Sequence, residues 1–172
     1  MIDIPSQGSP FWRFSLAFYR LPKVADACIA LQEEAGVDVN LLLYLLWQAR
    51  QGLRLSTADV AAIEKKIAPW RNATVIPLRQ VRRALRSPPA LVEGATAEAF
   101  RNRIKAVELE AERLQQEAMH ALAPPGHPGV AGEAAARANV AAYQDALGVR
   151  FPHAAVDTLL AAFAALPPAE PA

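Results

Sequence analysis

The stretch whose reading decides the fold is GVDVNLLLYLLWQARQG, Gly36 to Gly52. Asp38 can accept hydrogen bonds from the first free amides of a helix. Gly52 tolerates the left-handed conformation in which helices commonly end. Between them Leu41 to Trp47 are all apolar, and at about 3.6 residues per turn they cover the whole circumference of the cylinder. A helix apolar on every side must be enclosed by other elements or by lipid. Crossing a bilayer takes about 20 such residues, so this helix, over about 38–51, is expected to be the enclosed hub of a bundle.

The rest of the chain suits that expectation. Its 172 residues are enough for one domain with one core, expected over 1–166. Alanine occurs 37 times, and it is the best helix former, so the composition leans to all-α. Eighteen basic and 17 acidic groups leave a net charge of +1, which does not indicate a strongly basic nucleic-acid binder. Cys28 is the only cysteine, so an intramolecular disulfide and a cysteine-rich metal site are both excluded. The first residues, MIDIPSQGSPFWRF, carry an acid and a proline where a secretory signal needs positive charge. No apolar run is long enough to cross a membrane. The expectation is a cytoplasmic protein without a membrane span.

Outward from the hub, helix signals recur. Ser9 and Pro10 form an N-cap and first-turn pair, followed by a stripe of Phe11, Phe14 and Phe18. Val24, Cys28 and Leu31 fall at i, i+4, i+7 and place the thiol on a buried face. Ser56 with Asp59 resembles a capping box, and Val60, Ile63 and Ile67 follow. Pro69 is expected to end or kink that helix, and Pro77 to interrupt the next. A long helix is expected over about 97–122, with Thr96 as its cap. Its seam, Phe100, Ile104, Val107, Ala111, Leu114, Ala118 and Ala121, alternates by four and three, the heptad pattern of helix packing. Three repeats are short for a free coiled coil, so the seam is expected to pack within the chain. A breaker-rich loop at 123–132 precedes two alanine-rich helices, and 167–172 reads as a disordered tail. The fold class is therefore an all-α, single-domain bundle of six to eight helices.

Chemistry is sparse. His120, His127 and His153 do not share metal-ligand spacing with other donors, and no glycine-rich phosphate loop or nucleophile elbow occurs. The six aspartates never come within four residues of one another, which excludes an aspartate-rich magnesium helix. No metal site and no cofactor are expected. Asp38, Asn40 and Tyr44 could mark a polar pocket in the bundle core.

One constellation stands out. Arg79, Arg82, Arg83 and Arg86 recur at i, i+3, i+4, i+7 and form one stripe, beside an expected buried face of Leu78, Val81 and Leu85. Arg71 and Trp70 extend it, and there is no acid between Trp70 and Ser87. The planar guanidinium fork suits carboxylates and phosphates. The stripe is therefore either an anion-binding face or half of an internal ion-pair network. Glu108, Glu110, Glu112 and Glu117 on the long helix would supply the other half.

The segments FWRFSLAFY, CIALQEEAGVDVNLLLYLLWQARQG, APWRNATVIPLRQVRRAL and ELEAERLQQ resemble, in this order, an uncharacterised bacterial family annotated only as a domain of unknown function. The resemblance spans about residues 11–118. It implies a small, mainly helical bacterial protein and carries no functional residue with it. Three functions stay open. The first is a non-catalytic cytoplasmic interaction or regulatory protein with a protein partner. The second is an RNA or phosphate-ligand binder using Trp70, Arg71, Arg79, Arg82, Arg83 and Arg86. The third is an enzyme acting on a small apolar substrate around Asp38, Asn40 and Tyr44.

Overall fold

The structure, a computed structural model, describes residues 8–122, 126–129 and 131–167. Parts of the expected loop at 123–132, and the expected tail from residue 168 on, lie outside these residues. Eight α-helices are described: α1 Pro10–Tyr19, α2 Val24–Ala35, α3 Val39–Arg50, α4 Thr57–Trp70, α5 Ile76–Ala84, α6 Gly94–His120, α7 Glu133–Leu147 and α8 His153–Ala164. A single antiparallel bridge, β1 Leu53–Arg54 with β2 His127–Pro128, is the described sheet. The fold is an all-α bundle.

α3 is its centre. Leu41 to Leu46 are all buried, and the helix packs against α1, α2, α6 and α7. Asp38 caps it by accepting from the amides of Asn40 at 2.8 Å and Leu41 at 3.3 Å. Gly52 follows it with φ +77°, in the left-handed region, and a Cβ there would lie 3.2 Å from the Gly129 carbonyl oxygen. Ser9 caps α1 with Pro10 in its first turn. Ser56 and Asp59 complete the capping box of α4. Phe11, Phe18, Val24, Cys28, Leu31, Val60 and Ile63 join the core as their spacing implies, together with Val140, Tyr143, Leu159, Leu160 and Phe163 from the last two helices.

Four expectations are corrected. Pro69 and Pro77 do not separate two helices. Residues 57–84 form one continuous rod in which Arg71–Val75 make a π-turn, closed by the Ile76 amide donating to the Arg71 carbonyl. Proline cannot donate to the ladder, and its ring presses on the carbonyl four residues back. One wide turn before Pro77 relieves that pressure without ending the helix. The Thr74 hydroxyl donates to the Trp70 carbonyl at 2.7 Å and occupies that acceptor within the turn.

The cap of α6 is Glu93, which accepts from the amides of Ala95 and Thr96, so Thr96 lies inside the helix.

The heptad seam of α6 packs within the chain only in part, at Ala111, which is buried, and Ile104, which is half-buried. Phe100, Val107 and Leu114 are exposed, whereas Ala97, Glu108, Ala111, Gln115, Gln116 and Met119 are buried. The buried face is rotated from the apolar seam by roughly a quarter turn. Val81, expected on a buried face of α5, is exposed as well, and Leu78 and Leu85 are only half-buried.

Candidate functional site

Where the start of α3 meets α6 and the π-turn, a polar layer crosses the bundle. The Asp38 carboxylate takes a hydrogen bond from Gln115 Nε2 at 2.9 Å and from the Arg71 guanidinium at 3.1 Å. Arg71 also grips Glu64 with both terminal nitrogens, at 2.9 and 2.6 Å. Glu64 hydrogen bonds together with the nearby carboxylates hold the Arg71 guanidinium in its charged form. The Tyr143 hydroxyl accepts from the Asp38 amide, and burial pushes its pKa up. Gln116 Nε2 donates to Asn40 Oδ1 at 2.8 Å. Tyr44 is buried, its ring edge-on to Phe11 at 5.3 Å. The structure thus brings Asp38 and Asn40 together through neighbouring glutamines of α6, whereas Tyr44 lies a turn deeper among aromatic rings. The Asp38 carboxylate and the Asn40 amide oxygen are taken up by groups of the chain itself, whereas the Tyr44 hydroxyl is buried without a hydrogen-bond partner.

The arginine stripe divides in the same way. Arg79 donates to Glu108 at 3.1 Å, to Glu112 at 2.9 Å and to Gln32 on α2 at 2.7 Å. Arg82 is paired with both oxygens of Glu108. Burial pushes the Glu108 carboxyl up, but hydrogen bonds from Arg82 and Arg79 outweigh it and hold the group below its ordinary value. Glu112 goes the other way: burial raises it, and Arg79 offsets only part of that. Arg83 meets Glu33 of α2 at 3.2 Å in an exposed pair, and Arg86 is exposed. Trp70 is half out of the protein, its indole N–H donating to the Ala111 carbonyl at 3.0 Å. Arg71, Arg79 and Arg82 therefore clamp α6 and α3 to the α4–α5 rod, and Glu64, Gln32 and Glu33 are partners that the one-dimensional pattern did not offer.

The other feature lies on the outside. α5 and α6 form a hairpin whose inner edge rests on α2, where Gln32, Glu33, Ile76, Arg79, Gln80 and Arg83 line a shallow cleft of about 390 Å³. On the opposite edge Val81 is 44 % exposed, Phe100 43 %, Val107 51 % and Leu114 42 %. Leu91 and Val92 are exposed at the hairpin tip. Scattered apolar residues on a surface are ordinary, whereas Phe100, Val107 and Leu114 fall at heptad spacing along one helix. The heptad spacing is the sequence signal for this strip, but spacing does not say which way an apolar face turns.

Among the described residues no group of three or more His, Cys, Asp or Glu comes close enough to hold a metal ion. No helix among them is long and apolar enough to cross a membrane. Comparison with curated proteins finds no match, and neither does comparison with solved structures. Residues 10–119 match the family described as "Protein of unknown function (DUF2390)". That span runs from α1 to the last turn of α6, and so contains the hub, the hairpin and the polar layer apart from Tyr143. The chain belongs to this family of proteins of unknown function, DUF2390.

Proposed function

We propose that this chain is a non-catalytic interaction or regulatory protein of the cytoplasm that docks a protein partner on the outer face of the α5–α6 hairpin. The observation that carries the reading is the strip of Phe100, Val107 and Leu114, continued by Val81, which is left uncovered on a heptad-patterned helix. A sequence conserves no energy by exposing such a row; its burial is worth about 25 cal/mol per Å² once a partner covers it. An aromatic and aliphatic strip edged by charge has the composition of an interface core with its rim.

The phosphate reading has less support, because phosphate binding requires guanidinium groups free to neutralise it. Arg71, Arg79 and Arg82 are spent on carboxylates of the chain itself. An enzyme acting in the core would need access to Asp38, Asn40 and Tyr44, and all three are buried.

Photo-crosslinking in cells tests the reading. A benzophenone side chain replacing Val107 is expected to give a discrete protein adduct, and one replacing the exposed Lys65 on α4 is not. Absence of an adduct at Val107, or equal labelling from both positions, refutes the docking face.

A further inference from the structure

We infer that the occupant of this face is a second copy of the same chain, the two α6 helices lying antiparallel about a two-fold axis at Val107. The inference rests on the interaction reading above and names its partner. Three observations carry it.

The strip belongs to two helices and faces away from the body. On α5, Arg79, Gln80 and Arg83 turn toward α2, which leaves Leu78, Val81 and Leu85, at i, i+3, i+7, along the other side. On α6, Glu108 and Glu112 turn inward to Arg79 and Arg82, which leaves Phe100, Val107 and Leu114 on the same outer side as the α5 row. Such a face can be closed by another helical hairpin, giving the four-helix arrangement in which each seam is covered.

Both rows are symmetric about one level. Phe100 and Leu114 stand one heptad on either side of Val107, and Leu78 and Leu85 flank Val81. The pairs of Arg79 with Glu108 and Glu112, and of Arg82 with Glu108, set Val81 level with Val107. An antiparallel copy turned about that level therefore lays Phe100 on the second copy's Leu114, Val107 on Val107 and Leu85 on Leu78. The α6 row alone is about 21 Å long at 1.5 Å per residue. The same rotation brings the apolar hairpin tip, Leu91 and Val92, to the end where the second copy exposes Trp70.

The charges at the edge are self-complementary. Arg103 lies over the Phe100 ring at 5.5 Å, so its guanidinium borders the strip. Glu110 borders it two turns later, held by Arg113 in an exposed pair that costs little to share. The midpoint of Arg103 and Glu110 falls at the same level as Val107. An antiparallel copy sets Arg103 against Glu110 twice, whereas a parallel one sets like charges together. A closed two-fold contact needs this kind of self-matching patch.

Sedimentation equilibrium on the full chain tests the inference, with helix content checked by circular dichroism. The wild type is expected at twice the 18.5 kDa chain mass. Arg103→Glu alone and Glu110→Arg alone are each expected to dissociate, since each places two like-charge pairs across the axis. An equimolar mixture of the two variants restores both opposite-charge pairs and is expected to return to twice the chain mass. A monomeric wild type overturns the inference, and a Val107 adduct to a different protein would then leave the interaction reading standing. A dimer indifferent to both variants, or a mixture that stays monomeric, also overturns it. Should either charge variant lose helix, Val107→Glu decides the same point by dissociating the dimer or failing to.

Discussion

Asp38 and Arg71 meet at 3.1 Å, tying the first turn of α3 to the π-turn that begins 33 residues later. The carboxylate does two tasks at once: it caps α3 and it receives a guanidinium that the π-turn aims inward. Asp38→Ala removes both, so the expected loss is about 3 kcal/mol, of which the cap accounts for about 1. Asp38→Asn keeps an acceptor for the Asn40 and Leu41 amides and loses only the charge, at roughly half that cost. Urea denaturation of the two variants checks this, and equal losses would mean that the cap contributes nothing.

Glu108 and Glu112 sit one turn apart around Arg79 and are expected to respond to acid with opposite signs. Glu108 has its pKa lowered below the ordinary 4.5, because Arg82 and Arg79 outweigh burial. Its stabilising contribution is present above that ordinary value and is lost as pH falls through the lowered one. Glu112 is raised above 4.5 by burial. Its contribution is favourable at low pH and is lost as pH rises through the raised value. At neutral pH Glu108→Gln therefore costs about 3 kcal/mol by taking the carboxylate from Arg82, Arg79 keeping Glu112 and Gln32, while Glu112→Gln is near neutral. Thermal melts from neutral to acid pH should show a shallower acid loss in Glu108→Gln than in wild type and a steeper one in Glu112→Gln.

How much of this was legible in the chain follows from the range of the signals. Caps and breakers act over three or four residues, and Ser9, Asp38, Gly52 and the Ser56–Asp59 box all stand where the sequence puts them. The hub was legible because a helix apolar all round has only one kind of surrounding in water. The direction of the α6 seam was not legible because periodicity shows that a face is apolar and not which way it turns. Its inward side carries Glu108, Gln115 and Gln116, whose partners come from α5 and α3. Such long-range pairing has no local spacing to betray it. The π-turn escaped for a similar reason: a proline is read as a break unless a neighbouring wide turn absorbs it, and that depends on the inward pull on Arg71.

Cys28 is fully buried on α2, and burial pushes its thiol up to about 12. The nucleophile in thiol chemistry is the thiolate. The native protein is therefore expected to leave an aromatic disulfide reagent unreacted at neutral pH, with labelling only at the rate of unfolding. One equivalent should react at once in denaturant. Rapid native labelling would show that α2 opens locally away from α8.

Asn139 carries the last expectation, and it is a residue that neither charge nor periodicity singles out. It is fully buried on α7, yet both its amide hydrogens and its oxygen have partners. Its amide nitrogen donates to the carbonyls of Leu45 and Leu53, each at 3.0 Å, and its oxygen accepts from the Leu55 amide at 2.8 Å. It thereby satisfies the backbone of the segment that leaves α3 and enters α4, where the bridge of Leu53 and Arg54 is too short to do so alone. A buried amide or carbonyl left without a partner costs about 1–3 kcal/mol, so Asn139→Leu is expected to lose about 4 kcal/mol despite its better hydrophobicity. Asn139→Asp keeps the acceptor for Leu55 but sets a buried charge against two carbonyls, and is expected to be worse. Hydrogen exchange locates the effect: the Leu55 amide should lose protection in Asn139→Leu before the amides of α3 do. If Leu55 stays as protected as the hub, the asparagine is not what holds this crossing in place.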